Sequence, residues 1–356
     1  MKRNININGE KSQENTLKRK ISEYAKSKNG SNDSSQELVA ELCSKTNCRG
    51  IKLPQYISFI LEDDSTLLLY IQEQTADNGD VINALSNNMQ GDNAAFEGWA
   101  VVLKAWCPDK ASKVRLKWDV PSDADFNSHY KRFCYRVVKM EKAYDWFSID
   151  DTNREGIESF EKKLKEVSLK NNCGNSMPSK KFKHGGGIGE NAVEYDMVHE
   201  QDFPHKLCEK YGVDNIFHQL PVGVKTDGDN QSFFAGNKAA IDLWGMKDNE
   251  LTIIELKYQN KMVGIISELF FYVNIIRDII KGDIAAPTGK LPHEKDLYER
   301  INKMKKIHAR MLADEYHPLI KENVFKVLDK STNQDVPIDY KCDTYIYKPS
   351  SLEFVQ

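Results

Sequence analysis

The residues best equipped for chemistry are Asp242, in IDLWGM, and the Glu255-Leu256-Lys257 triplet that follows after twelve intervening residues. NKAAIDLWGM (237–246) and LTIIELKYQ (251–259) both read as strands, and the turn-forming KDNE between them predicts an antiparallel hairpin. Side chains two apart on a strand share a face, so Glu255 and Lys257 project together. A hairpin of this length brings Asp242 beside Glu255, and two carboxylates and an ammonium then converge at one end of a small sheet. Hard divalent cations such as Mg²⁺ are held by one or two carboxylates with water and phosphate oxygens. The bound metal makes its water more acidic and draws charge from the phosphate. A lysine beside it can hold the attacking water or neutralise charge developing on phosphorus. The acids alone would make a cation site; the lysine points towards phosphodiester hydrolysis.

Several elements must hold these groups in place. NIFHQLPVGV (215–224) is a further strand, and GIISELFFYVNIIRDIIKG (264–282) is a glycine-bounded helix apolar enough to pack on the sheet. Before them a helix is expected within 192–211, with Pro204 marking a turn or break. More helix is expected at 294–316 and a late strand at DTYIYK (343–348). Residues 1–36 are rich in Lys, Asn, Ser and Glu and read as a tail. Residues 37–167 form an amino-terminal α+β domain, with strands at 66–74 and 114–120 and helices at 94–106, 128–147 and 156–167. The Gly, Asn, Ser and Lys rich stretch 168–191 reads as a linker, and 192–356 as the second domain.

The stretch IDLWGMKDNELTIIELK (241–257) resembles the signature of the PD-(D/E)XK nuclease superfamily, with Ile241 where a proline often stands. The resemblance covers roughly residues 190–285. It implies an α/β, restriction-endonuclease-like mixed sheet flanked by helices, and Mg²⁺-dependent cleavage of nucleic acid, DNA favoured over RNA, with Mn²⁺ an expected substitute. Asp242 and Glu255 would bind the metal with the Leu256 carbonyl, and Lys257 would be catalytic. Superfamily members often carry an acid on the helix before the sheet. Glu194, Glu200 and Glu209 are candidates, and Glu200 is preferred because it sits where a helix leading into the sheet would begin. Glu268 and Tyr272 hold the spacing of a supporting Gln and Tyr, with Glu in place of Gln; Glu268 could equally be a buried acid paired with a lysine. The amino-terminal domain lies outside the resemblance and is assigned to recognition or partner binding.

Each signal has a plainer rival. Glu-X-Lys occurs by chance in many solvated strands, where it makes only a surface ion pair. The fold could also survive as an inactive nucleic-acid-binding or assembly module, or serve a hydrolase of small phosphorylated substrates. GGGIGENA (185–192) lacks the preceding strand that a phosphate loop needs. Lys180, Lys181 and Lys183 could meet phosphate but read as a solvated run. On the 128–147 helix, Arg132 and Arg136 interleave with Tyr130 and Tyr135, a pattern suited to nucleic acid or, more often, to a core with snorkelling cations. Trp99, Trp106, Trp118 and Trp146 read as core, and His199, His205 and His218 have no ligand spacing. Seven cysteines without a paired spacing argue against structural zinc and for reduced, mostly buried thiols. The net charge of −3 excludes a protein that coats nucleic acid by bulk charge. With no secretory or membrane segment, the expected compartment is the cytoplasm; a homo-oligomer is allowed.

Overall fold

The computed structural model describes residues 34–75, 81–86, 89, 91–172, 189–200, 202–228, 231–236, 239–286, 300–331, 335–349 and 351–355. The fold is mixed α/β. The amino-terminal half holds α1 (Ser35–Thr46), β1 (Ile57–Leu61), β2 (Thr66–Ile71), α2 (Phe96–Trp106), β3 (Lys113–Trp118), α3 (Ser128–Ala143), β4 (Phe147–Ile149) and α4 (Asp151–Glu166). Its sheet runs β1-β2-β3-β4, antiparallel at the first pair and parallel thereafter. The Asn127 carboxamide caps α3 by accepting from the amides of His129 and Tyr130. The stretch expected as a linker begins instead with β5 (Leu169–Asn172), and its end starts α5 at Glu190. Lys180, Lys181 and Lys183 lie outside the described residues.

The rest of the chain supplies α5 (Glu190–His199), α6 (Phe203–Tyr211), β6 (Ile216–Pro221), β7 (Gly223–Thr226), β8 (Ala240–Lys247), β9 (Glu250–Lys257), α7 (Ile265–Lys281), β10 (Lys306–Ala313), α8 (Glu322–Leu328), β11 (Ile338–Lys348) and β12 (Ser351–Val355). The expected helix therefore divides in two, with Pro204 in the first turn of the second. A six-stranded sheet runs β12-β11-β10-β9-β8-β6. Its β9-β10-β11 centre is parallel and its other pairs are antiparallel. β7 leaves this sheet to pair with β5. The helix expected over 294–316 is corrected for residues 306–313. KIHARMLA is a central strand, and Ile307, Ala309, Met311, Leu312 and Ala313 are buried because helices cover both sheet faces.

Those layers explain the apolar pattern. On one face Val193, Met197, Phe203 and Leu207 of α5 and α6 pack against Leu243, Ile254, Leu256 and Leu312. On the other, α7 is buried at every position from Ile265 to Ile279. A helix buried on every side needs cover all round, and the amino-terminal half provides part of it through α2 and α3. Gly98 of α2 has no room for a side chain, since a Cβ there would lie 2.8 Å from the Val263 carbonyl oxygen. Buried apolar residues from both halves, from Leu38 to Leu169 and from Leu220 to Tyr340 among the described residues, share one continuous cluster. Trp99 and Trp118 are buried in it, while Trp106 and Trp146 pack half-buried against it. Among the described cysteines, Cys107 and Cys134 are buried and the others half-buried, all unbridged. No described helix is long and apolar enough to cross a membrane.

Candidate active site

The hairpin forms as its two-residue period requires. β8 pairs with β9 from Lys247–Glu250 up to Leu243–Ile254, turning at Asp248, which takes a left-handed conformation. Beyond Leu243 the ladder stops, and the Asp242 carboxylate takes over as acceptor for the Leu256 amide at 2.8 Å. Asp242 is half-buried, whereas Glu255 and Lys257 are both about 2% exposed. Burying a charge is costly unless it is paired, and here it is. Lys257 Nζ donates to Glu255 Oε1 at 2.6 Å and lies 3.2 Å from Glu268 Oε2 and 3.5 Å from Glu190 Oε1. Tyr272 donates its hydroxyl to Glu268 Oε1 at 2.8 Å, one helical turn away on α7. Glu268 is thus a buried acid paired with a lysine and hydrogen-bonded by Tyr272.

Glu200, the preferred candidate on the preceding helix, does not stand with the acid cluster. That residue caps the carboxyl end of α5, ten positions from the Glu190 end, or about 15 Å along the axis. The helix meets the sheet with its first turns. Glu190 Oε2 accepts from the Tyr258 amide at 3.0 Å, and Glu194, four residues on, is buried. Gln219 of β6 donates Nε2 to Glu194 Oε1 at 2.6 Å, and His218 Nδ1 lies 3.8 Å from that oxygen. Gln219 falls between the paired residues Leu220–Ile241 and His218–Leu243, opposite Asp242, and its φ is 57°. Sequence reasoning missed Glu190 and Gln219. The four-residue spacing of Glu190 and Glu194 was a visible signal; the left-handed glutamine left none.

The acids raise one another's pKa values. Burial first, then Asp242, pushes Glu194 up to about 8 against the opposing Gln219 amide. Desolvation, with Glu268 and Glu190, pushes Asp242 to about 7 although Lys257 opposes it. Glu255 is raised well above the carboxylate range by burial, Asp242 and Glu268. Burial would lower Lys257, but Glu255, Glu268, Asp242 and Glu190 outweigh it and hold the ammonium well above its ordinary value. Glu255 Oε2 is buried without a hydrogen-bond partner. Crowded carboxylates with an orphaned oxygen suit a divalent cation. Among the described residues, however, no three His, Cys, Asp or Glu side chains are yet arranged as a metal-binding group.

On α3 the nucleic-acid role held as the alternative for Arg132 and Arg136 is corrected by their burial. Arg136, 2% exposed, donates to the Ala94 carbonyl at 2.9 Å and to Glu97 at 3.2 Å. Arg132, 6% exposed, donates to the Ala235 carbonyl at 3.1 Å. Both guanidiniums tie α3 to its neighbours and have no surface left for phosphate. His205 is exposed on the outer side of α6, while His199 and His218 meet ring to ring beside Glu194. Comparison with protein-family models, curated proteins and solved structures finds no match for this chain.

Proposed function

We propose that the chain is a metal-dependent nuclease of the PD-(D/E)XK type, with a restriction-endonuclease-like fold in its larger sheet. The observation that carries this reading is Lys257, buried between Glu255 and Glu268 on the strand beside Asp242. A surface ion pair has no such burial. Asp242 and Glu255, with the Leu256 carbonyl, would hold Mg²⁺ or Mn²⁺, and Glu194 and Glu190 would stand behind them. When bound, the metal supplies a more acidic water and withdraws charge from the phosphate. Lys257, held protonated, would orient the attacking water and offset charge on the phosphoryl oxygens as the water oxygen bonds phosphorus and the bond to the departing sugar oxygen breaks, the water's proton passing to solvent and the departing oxygen taking one from it. Glu268, braced by Tyr272, keeps the ammonium in position. DNA is preferred over RNA on the sequence resemblance.

The test is incubation of the full chain with circular, linear and single-stranded DNA, with and without Mg²⁺ or Mn²⁺. Lys257→Ala, Glu255→Gln and Asp242→Asn run in parallel, with folding checked by circular dichroism. Metal-dependent cutting by the wild type should fall about 100-fold or more in each variant. Wild-type rates in the variants, or no cutting by the wild type with either metal, would overturn the reading. DNA affinity that needs no metal and survives Asp242→Asn would instead mark a binding module.

A further inference from the structure

Just outside the acid cluster stands an aromatic pair that neither apolar cluster uses. Tyr195 and His199, four residues apart on α5, lie face to face with centroids 4.1 Å apart and planes 13° from parallel. Tyr195 is half-buried, His199 is exposed, and Tyr195 belongs to neither core cluster. His199 Nδ1 lies 2.9 Å from the Tyr195 carbonyl oxygen, which can only accept, so this contact fixes the ring's orientation. His218 meets His199 edge-on at 5.3 Å, and its own Nδ1 is 3.8 Å from Glu194. The stack is therefore one side chain removed from the acids.

Charge and ring geometry together decide what such a platform could hold. Glu190, Glu194, Asp242, Glu255 and Glu268 face one another with Lys257 between them. Duplex and single strand alike draw phosphate affinity from lysines and arginines, and these residues offer little of that to either, but a base must leave the duplex stack before it can lie on an exposed ring. A base face carries no net charge and stacks on aromatic rings whatever its sequence. We propose that Tyr195 and His199 are the platform on which a base of single-stranded nucleic acid stacks beside the phosphate to be cut. The preferred substrate is then an unpaired strand or end rather than an intact duplex. This rests on the nuclease reading for the cutting step, but stacking can be measured without it.

Aromatic side chains at this spacing also steady a helix, so the test must separate the two roles. A single-stranded DNA oligonucleotide carrying 2-aminopurine is mixed with the full chain bearing Asp242→Asn, and the same oligonucleotide is offered as a duplex. The single strand should be quenched on binding, and His199→Leu or Tyr195→Leu should abolish the quenching while leaving the circular dichroism spectrum intact. In the active protein the same changes should raise KM for the single strand about tenfold and leave kcat nearly unchanged. Quenching unaltered by His199→Leu, or tighter binding of the duplex, overturns the proposal. Quenching that depends on His199 in a wild type that never cuts would sustain the platform and sink the nuclease reading.

Discussion

Glu194 and Asp242 make the stability of the metal-free protein depend on pH. Both are raised, to about 8 and about 7, so between the ordinary carboxylate range and those values the folded chain binds more protons than the unfolded one. Stability must then fall as pH rises through that window. For Glu194, moved from 4.5 to about 8, the loss is at most about 5 kcal/mol. Thermal melts from pH 5 to 8.5 should show a falling midpoint, a shallower fall in Glu194→Gln, and recovery on adding Mg²⁺ at high pH. A flat profile would contradict the crowding. Gln219 adds a second expectation. Its left-handed backbone costs roughly 1–2 kcal/mol, close to the ~1 kcal/mol that a hydrogen bond returns. Gln219→Gly should leave urea stability nearly unchanged. It also removes the amide that favours ionised Glu194, so the acid limb of the pH–rate profile should move to higher pH. An unmoved limb would mean that the amide does not act through Glu194.

Elements whose period and end signals agreed were legible in the sequence. The β8–β9 hairpin followed from alternation around KDNE, and α7 from an apolar run between Gly264 and Gly282, whose φ of 81° ends the helix. Asp242, Glu255 and Lys257 were legible with them. What failed was phase and depth. Glu200 was chosen by its place in the chain, whereas the end of α5 that meets the sheet selects Glu190 and Glu194. β10 hid in a stretch dense with lysine and arginine, and only its central place in the sheet explains why Arg310 is buried there, paired with Asp339. For Arg132 and Arg136 a phosphate role stood beside the preferred core reading, because partners 103 and 39 positions away leave no local trace. Strand position also yields a test at Gly245, where a Cβ would lie 2.5 Å from the Asn215 carbonyl oxygen and 2.9 Å from Val213 Cγ2. Gly245→Ala should cost about 1–3 kcal/mol in urea unfolding by pushing β8 off the segment before β6. A cost near zero would show that this segment yields freely.

The molecule is held together through α7 and the pieces packed on it. Glu97 of α2, fully buried, pairs with Arg136 of α3, and the Gly98 amide donates to Ser267 of α7 at 3.3 Å. Burial raises the Glu97 carboxyl while Arg136 opposes it. Removing one partner strands the other, so Glu97→Ala should cost about 3–5 kcal/mol. Glu97→Ala with Arg136→Met should lose less, and a double variant worse than the single would refute the pairing. The complete burial of α7 bears on how the chain is made. As α7 leaves the ribosome, α2 and α3 already exist and can shelter one side of it. The strand that packs on it from the sheet, β10, is still being translated. For that interval a greasy rod lies half uncovered, the kind of surface that invites aggregation, and the early half of the chain serves as its first chaperone.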